Sequence, residues 1–215
     1  MNYFSHGFCF LDDPYFLAGT AVPDWLNVVN RKAKIPSKIA GQFVEHQNPV
    51  VARVARGIVQ HHQDDAWFHR TRAFAELCWE FTVLIRDQLS PDQGMRPSFL
   101  AHVLVELILD DCLIQRHPRR LDAYYKRLAS LPATELADAI LTMSRKPLQK
   151  LDAFIELFLQ DQFLYDYADD HRLTWRLNRV LQRVGLTELP EDFLDILPTV
   201  RRRVQQRTDE LLQAD

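Results

Sequence analysis

Residues 99–114 read FLAHVLVELILDDCLI, an almost unbroken apolar run with no glycine or proline. Its length and lack of breakers mark a helix, and apolar residues all round mark one buried in the centre of a domain. Three members do not fit a passive core helix. His102, Glu106 and Asp110 stand four residues apart, so on a helix they share one face, roughly 6 Å apart along the axis. A carboxylate buried there costs several kcal/mol unless a cation offsets it. A bound metal ion would supply that cation, and an ion-pair network with Arg70 or Arg72 is the structural alternative. Asp111 points to a neighbouring face.

A second register lies upstream, in HHQDDAWFH at 61–69. His61, Asp65 and His69 are again spaced by four, and imidazole and carboxylate at i and i+4 can reach one ion from one helix face. His61 and His69 lie two turns apart, roughly 12 Å on a straight helix, too far to share an ion. His69 is therefore expected to serve a second ion or a substrate phosphate. His62 and Asp64 face elsewhere, exposed or behind the ligands. The plain alternative is a polar helix end carrying incidental histidines. Two earlier residues extend the set: His6, among Tyr3, Phe4, Phe8 and Phe10, and Asp24, between Pro23 and Trp25. Mixed nitrogen and oxygen donors suit a divalent manganese, iron or zinc ion better than calcium or a thiolate-selected metal.

Around these registers the chain reads as helices. Only 6 glycines occur in 215 residues, and no segment alternates apolar and polar residues as a half-buried strand would. Helices are expected over 13–26, ending near Pro23, then over 50–65 behind Pro49 and over 67–89. A basic, polar stretch at 32–47 reads as a loop with a short helix, and 90–94 as a breaker loop. Pro97 opens the helix over 98–115. Pro118, Pro132, Pro147 and Pro190 punctuate further amphipathic helices, including 147–167, 171–184 and 201–212. One all-α domain, a multi-helix bundle, is the expected architecture.

Composition removes several function classes. A net charge of −3 leaves no bulk basic footprint for nucleic acid. Three cysteines, Cys9, Cys78 and Cys112, without CxxC spacing, argue for a reducing compartment rather than a disulfide framework. The apolar start lacks a basic n-region, and no uncharged run is long enough to span a bilayer, so a cytoplasmic protein without membrane insertion is expected. No phosphate-binding glycine loop, GxSxG elbow or HExxH occurs, which disfavours P-loop and serine-nucleophile chemistry.

Four segments together resemble the bacterial acyl carrier protein phosphodiesterases, an all-helical family related to the HD-type metal phosphohydrolases. MNYFSH is similar to that family's MNFLAH opening. AGTAVPDWL is similar to its AGNLLADF segment and sets Asp24 on the family's aspartate. GIVQHHQDDAWFH resembles GI-x-x-HR-x-ID-x-x-TD, setting His61 and Asp65 on its histidine and aspartate. ELILDDCL resembles D-x-x-x-DHFL, with Glu106 and Asp110 on the two acids. FLYDYADDHRLTWRLNRVLQR resembles a later segment more loosely. Three departures stand out: Asp111 replaces a histidine, His69 an aspartate, and Glu106 an aspartate. Zinc-dependent phospholipase C-like proteins share a similar early histidine, PD turn and H-x-x-x-D pattern.

The resemblance implies an HD-phosphohydrolase-like fold and a metal-dependent phosphodiesterase. The implied reaction hydrolyses the phosphodiester between 4′-phosphopantetheine and a serine of acyl carrier protein. It assigns His6, Asp24, His61, Asp65 and Asp110 to one or two metal ions, manganese ahead of iron or zinc. Glu106 becomes a ligand or general base, His69 and His102 proton-transfer groups, and Arg70 and Arg72 a phosphate clamp. The arginine clusters at 119–120 and 201–203 would face the acidic carrier. Two other readings remain open: a phosphohydrolase of a small nucleotide or phospholipid headgroup, and a non-catalytic helical interaction protein.

Overall fold

The computed structural model describes residues 1–88 and 96–213, and among them the regular structure is all-α, with no strand. The helices are α1 (Tyr3–Gly7), α2 (Pro14–Val29), α3 (Ser37–Ala40), α4 (Pro49–Phe68), α5 (Arg72–Gln88), α6 (Pro97–Arg116), α7 (Pro118–Ala129), α8 (Ala133–Met143), α9 (Leu151–Asp161), α10 (Asp170–Arg183) and α11 (Leu197–Leu211). Short 3-10 turns occupy Gly41–Phe43, Phe163–Ala168 and Glu191–Ile196. The loop expected at 90–94 lies outside the described residues. No helix among those described is long and apolar enough to cross a membrane.

Most boundaries follow local chemistry. Asp13 caps α2 by accepting the Phe16 N–H at 3.2 Å, and Pro14 takes the first helical position, where a missing N–H costs nothing. Three expected boundaries are corrected. First, α2 does not stop at Pro23 but continues to Val29. The buried face of Val22, Trp25 and Leu26 outweighs the one hydrogen bond that proline removes.

Second, the helices over 50–65 and 67–89 meet at a different place. α4 runs on to Phe68, and α5 starts at Arg72. Thr71 makes the break, its Oγ1 donating to the Phe68 carbonyl at 2.9 Å and accepting the Phe74 N–H at 3.3 Å. His69 therefore sits in a turn, outside the helical register of His61 and Asp65. Third, the helix expected over 147–167 is only Leu151–Asp161, because Lys150 and Gln162 at its ends adopt left-handed φ values of 60° and 44°.

The fold divides into two compact units. The first comprises Met1–Ala66 and His117–Gln162, the second Trp67–Arg116 and Phe163–Asp215. In the first unit, α2 packs against α1, α7, α8 and α9. Trp25 meets Phe158 with ring centroids 5.3 Å apart, and Phe4 meets Tyr124 at 6.0 Å. Each such fully buried apolar side chain contributes about 1.5–3 kcal/mol. α4 lies against α2 at a glycine crossing. A Cβ on Gly57 would stand 2.2 Å from the Phe16 carbonyl oxygen and 2.7 Å from Gly19 Cα. Only paired glycines let the two backbones approach so closely.

In the second unit α5, α6 and α11 pack together, and the 3-10 turn at Phe163–Ala168 lies against α6 and α10. Arg201 on α11 ties these elements. It reaches Asp111 of α6 at 2.5 Å, Asp170 of α10 at 2.7 Å and the Tyr167 carbonyl at 2.7 Å. Asp111 is thus buried and structural. Arg203 pairs with Glu80 at 2.8 Å, so two arginines of the 201–203 cluster serve their own unit. Likewise Arg120 donates to the Phe8 carbonyl and stacks over the Phe8 ring in the first unit.

Candidate metal centre

Most of the donor residues singled out in the sequence fall into two groups, one in each unit. In the first unit His6, His61 and Asp65 converge, with one ligand atom from each lying within 4.8 Å of the others. His61 and Asp65 come from one face of α4, and His6 from α1. Both histidines are buried, at 1% and 3% exposure, while Asp65 is half-buried.

The outward nitrogens of both rings are tied down. His61 Nδ1 lies 2.8 Å from the Thr20 carbonyl. A carbonyl only accepts, so Nδ1 carries the hydrogen and neutral His61 keeps its lone pair on Nε2. That Nε2 faces Asp65 Oδ2 at 3.4 Å. His6 is held similarly, with Nδ1 3.4 Å from Asp64 Oδ2 and Nε2 3.2 Å from Asp65 Oδ1. Gln60 in turn donates to Asp64 Oδ1 at 2.7 Å. A hydrogen bond on the far ring nitrogen is the support that metal-binding histidines use to present a fixed lone pair.

The charges agree with a site built for a cation. Burial opposes charging of His6, but hydrogen bonds to Asp64 and Asp65 outweigh it and raise the pKa to about 9. Burial alone would raise the Asp65 carboxyl; the imidazoles of His6 and His61 outweigh it and hold the group well below the usual carboxylate range. The Met1 nitrogen adds a contact to Asp65 Oδ1 at 2.9 Å. The His6 and His61 rings stack at 3.9 Å, a spacing that disfavours two positive imidazoliums. Without a metal, the His6 imidazolium and the Met1 ammonium are the cations beside these carboxylates.

In the second unit His69 Nε2 lies 2.9 Å and His102 Nε2 3.2 Å from the same oxygen, Glu106 Oε1. These three also form a convergent donor group. The remaining expected site residues are not in either group. Asp24 lies half-buried in α2, and Asp110 is fully buried on α6, one turn beyond Glu106. Arg70 is exposed in the turn after α4. Arg72 pairs with Glu76 at 2.6 Å and is exposed.

Two supporting contacts were beyond reach of spacing. Asp64, i+3 from His61, braces His6 from another helix. His62 Nε2 donates to the Ile35 carbonyl at 2.9 Å, anchoring the loop before α3. A place for Asp64 behind the ligands is one of the two expectations from sequence; its partner, His6, is not. The three cysteines are free. No protein-family model, curated protein or solved structure matches this chain.

Proposed function

We propose that the protein is a metal-dependent phosphodiesterase whose metal is held by His6, His61 and Asp65. One observation carries this reading: His61 gives its Nδ1 hydrogen to Thr20 and directs Nε2 at Asp65, where His6 also converges. Two buried imidazoles directed at one carboxylate can share a metal ion in place of a proton. Two imidazoles and a carboxylate, with further positions open, match the donor set of catalytic zinc and related first-row ions. Manganese, iron and zinc are all compatible with it.

When bound, a divalent ion supplies Lewis-acid polarisation of a phosphoryl oxygen and lowers the pKa of water. The chain's own work is positioning. Thr20 fixes the His61 ring, Asp64 and Gln60 fix His6, and Asp65 brings the negative charge that selects a cation. The half-exposure of Asp65 leaves that group accessible to solvent on one side.

Acyl carrier protein as substrate, and assignment of the helical framework to the HD-phosphohydrolase kind, rest on the sequence resemblance. The test is metal content of protein purified without chelator, together with turnover of bis-p-nitrophenyl phosphate and then of holo-carrier protein. About one or two equivalents of metal with chelator-sensitive turnover is the expected result. Turnover of small diesters but not of the carrier would move the substrate to a nucleotide or headgroup. No metal and no turnover after manganese or zinc addition would overturn the reading.

A further inference from the structure

The two donor groups are built on one plan. Each has a histidine and a carboxylate four residues apart on a 20-residue helix, His61 and Asp65 on α4, His102 and Glu106 on α6. Each adds a second histidine from another segment, His6 in the first unit and His69 in the second. By spacing, His69 is expected to serve a second ion or a substrate phosphate; the family resemblance implies proton transfer for His69 and His102 and a ligand or base role for Glu106.

The geometry of the second group favours a ligand role for all three. Both Nε2 atoms address a single carboxylate oxygen, at 2.9 and 3.2 Å. Nitrogen and oxygen ligands bound about 2.0–2.2 Å from a first-row ion lie roughly 3.0–3.5 Å from one another at ordinary coordination angles. The observed separations are close to that edge length. The rings are braced from behind, with His69 and His102 centroids 4.7 Å apart and Phe74 4.9 and 5.0 Å from them. The Thr71 hydroxyl bonds lock the turn that carries His69.

Exposure is graded across the group. The Glu106 side chain is 16% exposed, those of His69 and His102 33% and 41%. The carboxylate therefore forms a floor and the imidazoles a rim open to water. A charged, sunken carboxylate with two converging imidazoles is a three-ligand set with an accessible side.

We propose that His69, His102 and Glu106 form a second divalent transition-metal site, wholly within the second unit, that takes zinc or a neighbouring first-row ion. The proposal does not depend on the phosphodiesterase reading.

The test uses the full chain, stripped with chelator and titrated with Co²⁺ by visible absorption and with Zn²⁺ by equilibrium dialysis and elemental analysis. About two equivalents are expected in the native sequence, falling by about one in each of His102→Ala, His69→Asn and Glu106→Gln. Circular dichroism and thermal melting check that these variants fold; the two histidines are half-exposed, so they should. His61→Ala, which addresses only the first group, should also lose about one equivalent. Unchanged stoichiometry in both His102→Ala and Glu106→Gln overturns the second site. A single native equivalent lost in His61→Ala also overturns it. A single equivalent lost in His102→Ala but kept in His61→Ala supports it and overturns the first site instead. No binding in the native chain overturns both.

Discussion

His61 donates its Nδ1 hydrogen to the main-chain carbonyl of Thr20 across 2.8 Å. The contact joins residues 41 positions apart and fixes which nitrogen of His61 is available. Removing the ligand and disturbing its support should have different costs. His61→Ala is expected to abolish binding in the first unit, weakening metal affinity by at least about 100-fold. Isothermal titration with Zn²⁺ measures it, and native affinity in the variant would remove His61 from the site.

Asp64→Asn keeps the size of the side chain but weakens its hold on His6 Nδ1. Metal affinity should fall by about 10–100-fold while the fold survives, since outer-shell partners of histidine ligands act at that scale. Asp64→Ala should be worse than Asp64→Asn. Equal affinities in all three proteins would show that Asp64 has no part in orienting His6.

The metal-free protein should lose stability as the solution becomes alkaline. The folded His6 pKa is raised from 6.5 to about 9 by its carboxylate partners. A raised pKa means the folded state holds the proton more tightly. The contribution is fully present below about pH 6.5 and is lost as pH climbs through about 9. Urea unfolding of chelator-stripped protein at intervals across that window measures the slope. His6→Gln should flatten it, and a slope that is the same in both proteins would discount the His6 contacts.

Gly57 stands one turn before His61 on α4, at the close crossing with α2. Gly57→Ala should destabilise the protein by about 3 kcal/mol, since the new methyl meets backbone rather than a movable side chain. It should also lower metal affinity, because separating α4 from α2 draws His61 away from Thr20. Gly41→Ala, where a Cβ meets nothing within 4 Å, is the matched control. Comparable melting temperatures for the two variants would contradict the tight crossing.

Arg201→Ala strands the buried Asp111 carboxylate and should cost about 3 kcal/mol. Burial already raises the Asp111 pKa, so the deficit should shrink if Asp111→Asn is added. Chemical denaturation of the single and double variants gives the comparison. Additive losses would show that the two residues do not act as a pair.

The helical character of the chain was legible without coordinates. Apolar spacing, few glycines and prolines at helix starts are local properties, and local physics decides them. Pro49, Pro97 and Pro118 each open the helix that their position announced. So was the i, i+4 pairing of His61 with Asp65 and of His102 with Glu106, because one helix fixes both residues of each pair. Local rules failed where packing overrode them. Pro23 did not end α2, since its neighbours' burial outweighed one missing hydrogen bond, and Thr71 broke a helix that periodicity alone would have moved to Trp67.

The grouping of donors belonged to the tertiary structure. His61 and His69 lie eight positions apart, in one i, i+4, i+8 register, yet the turn at Thr71 sends them to different groups. Asp24 and Asp110 share the donors' chemistry but join neither. The tautomer of His61 was likewise beyond the sequence, because it depends on a carbonyl carried by another helix. Sequence by itself determined which side chains can bind a cation and which of them share a helix face, since both follow from residue type and a 3.6-residue period. Which of them meet, and with which nitrogen forward, was decided by long-range packing such as the Gly19–Gly57 crossing, where contacts between distant residues are made only once the chain has folded.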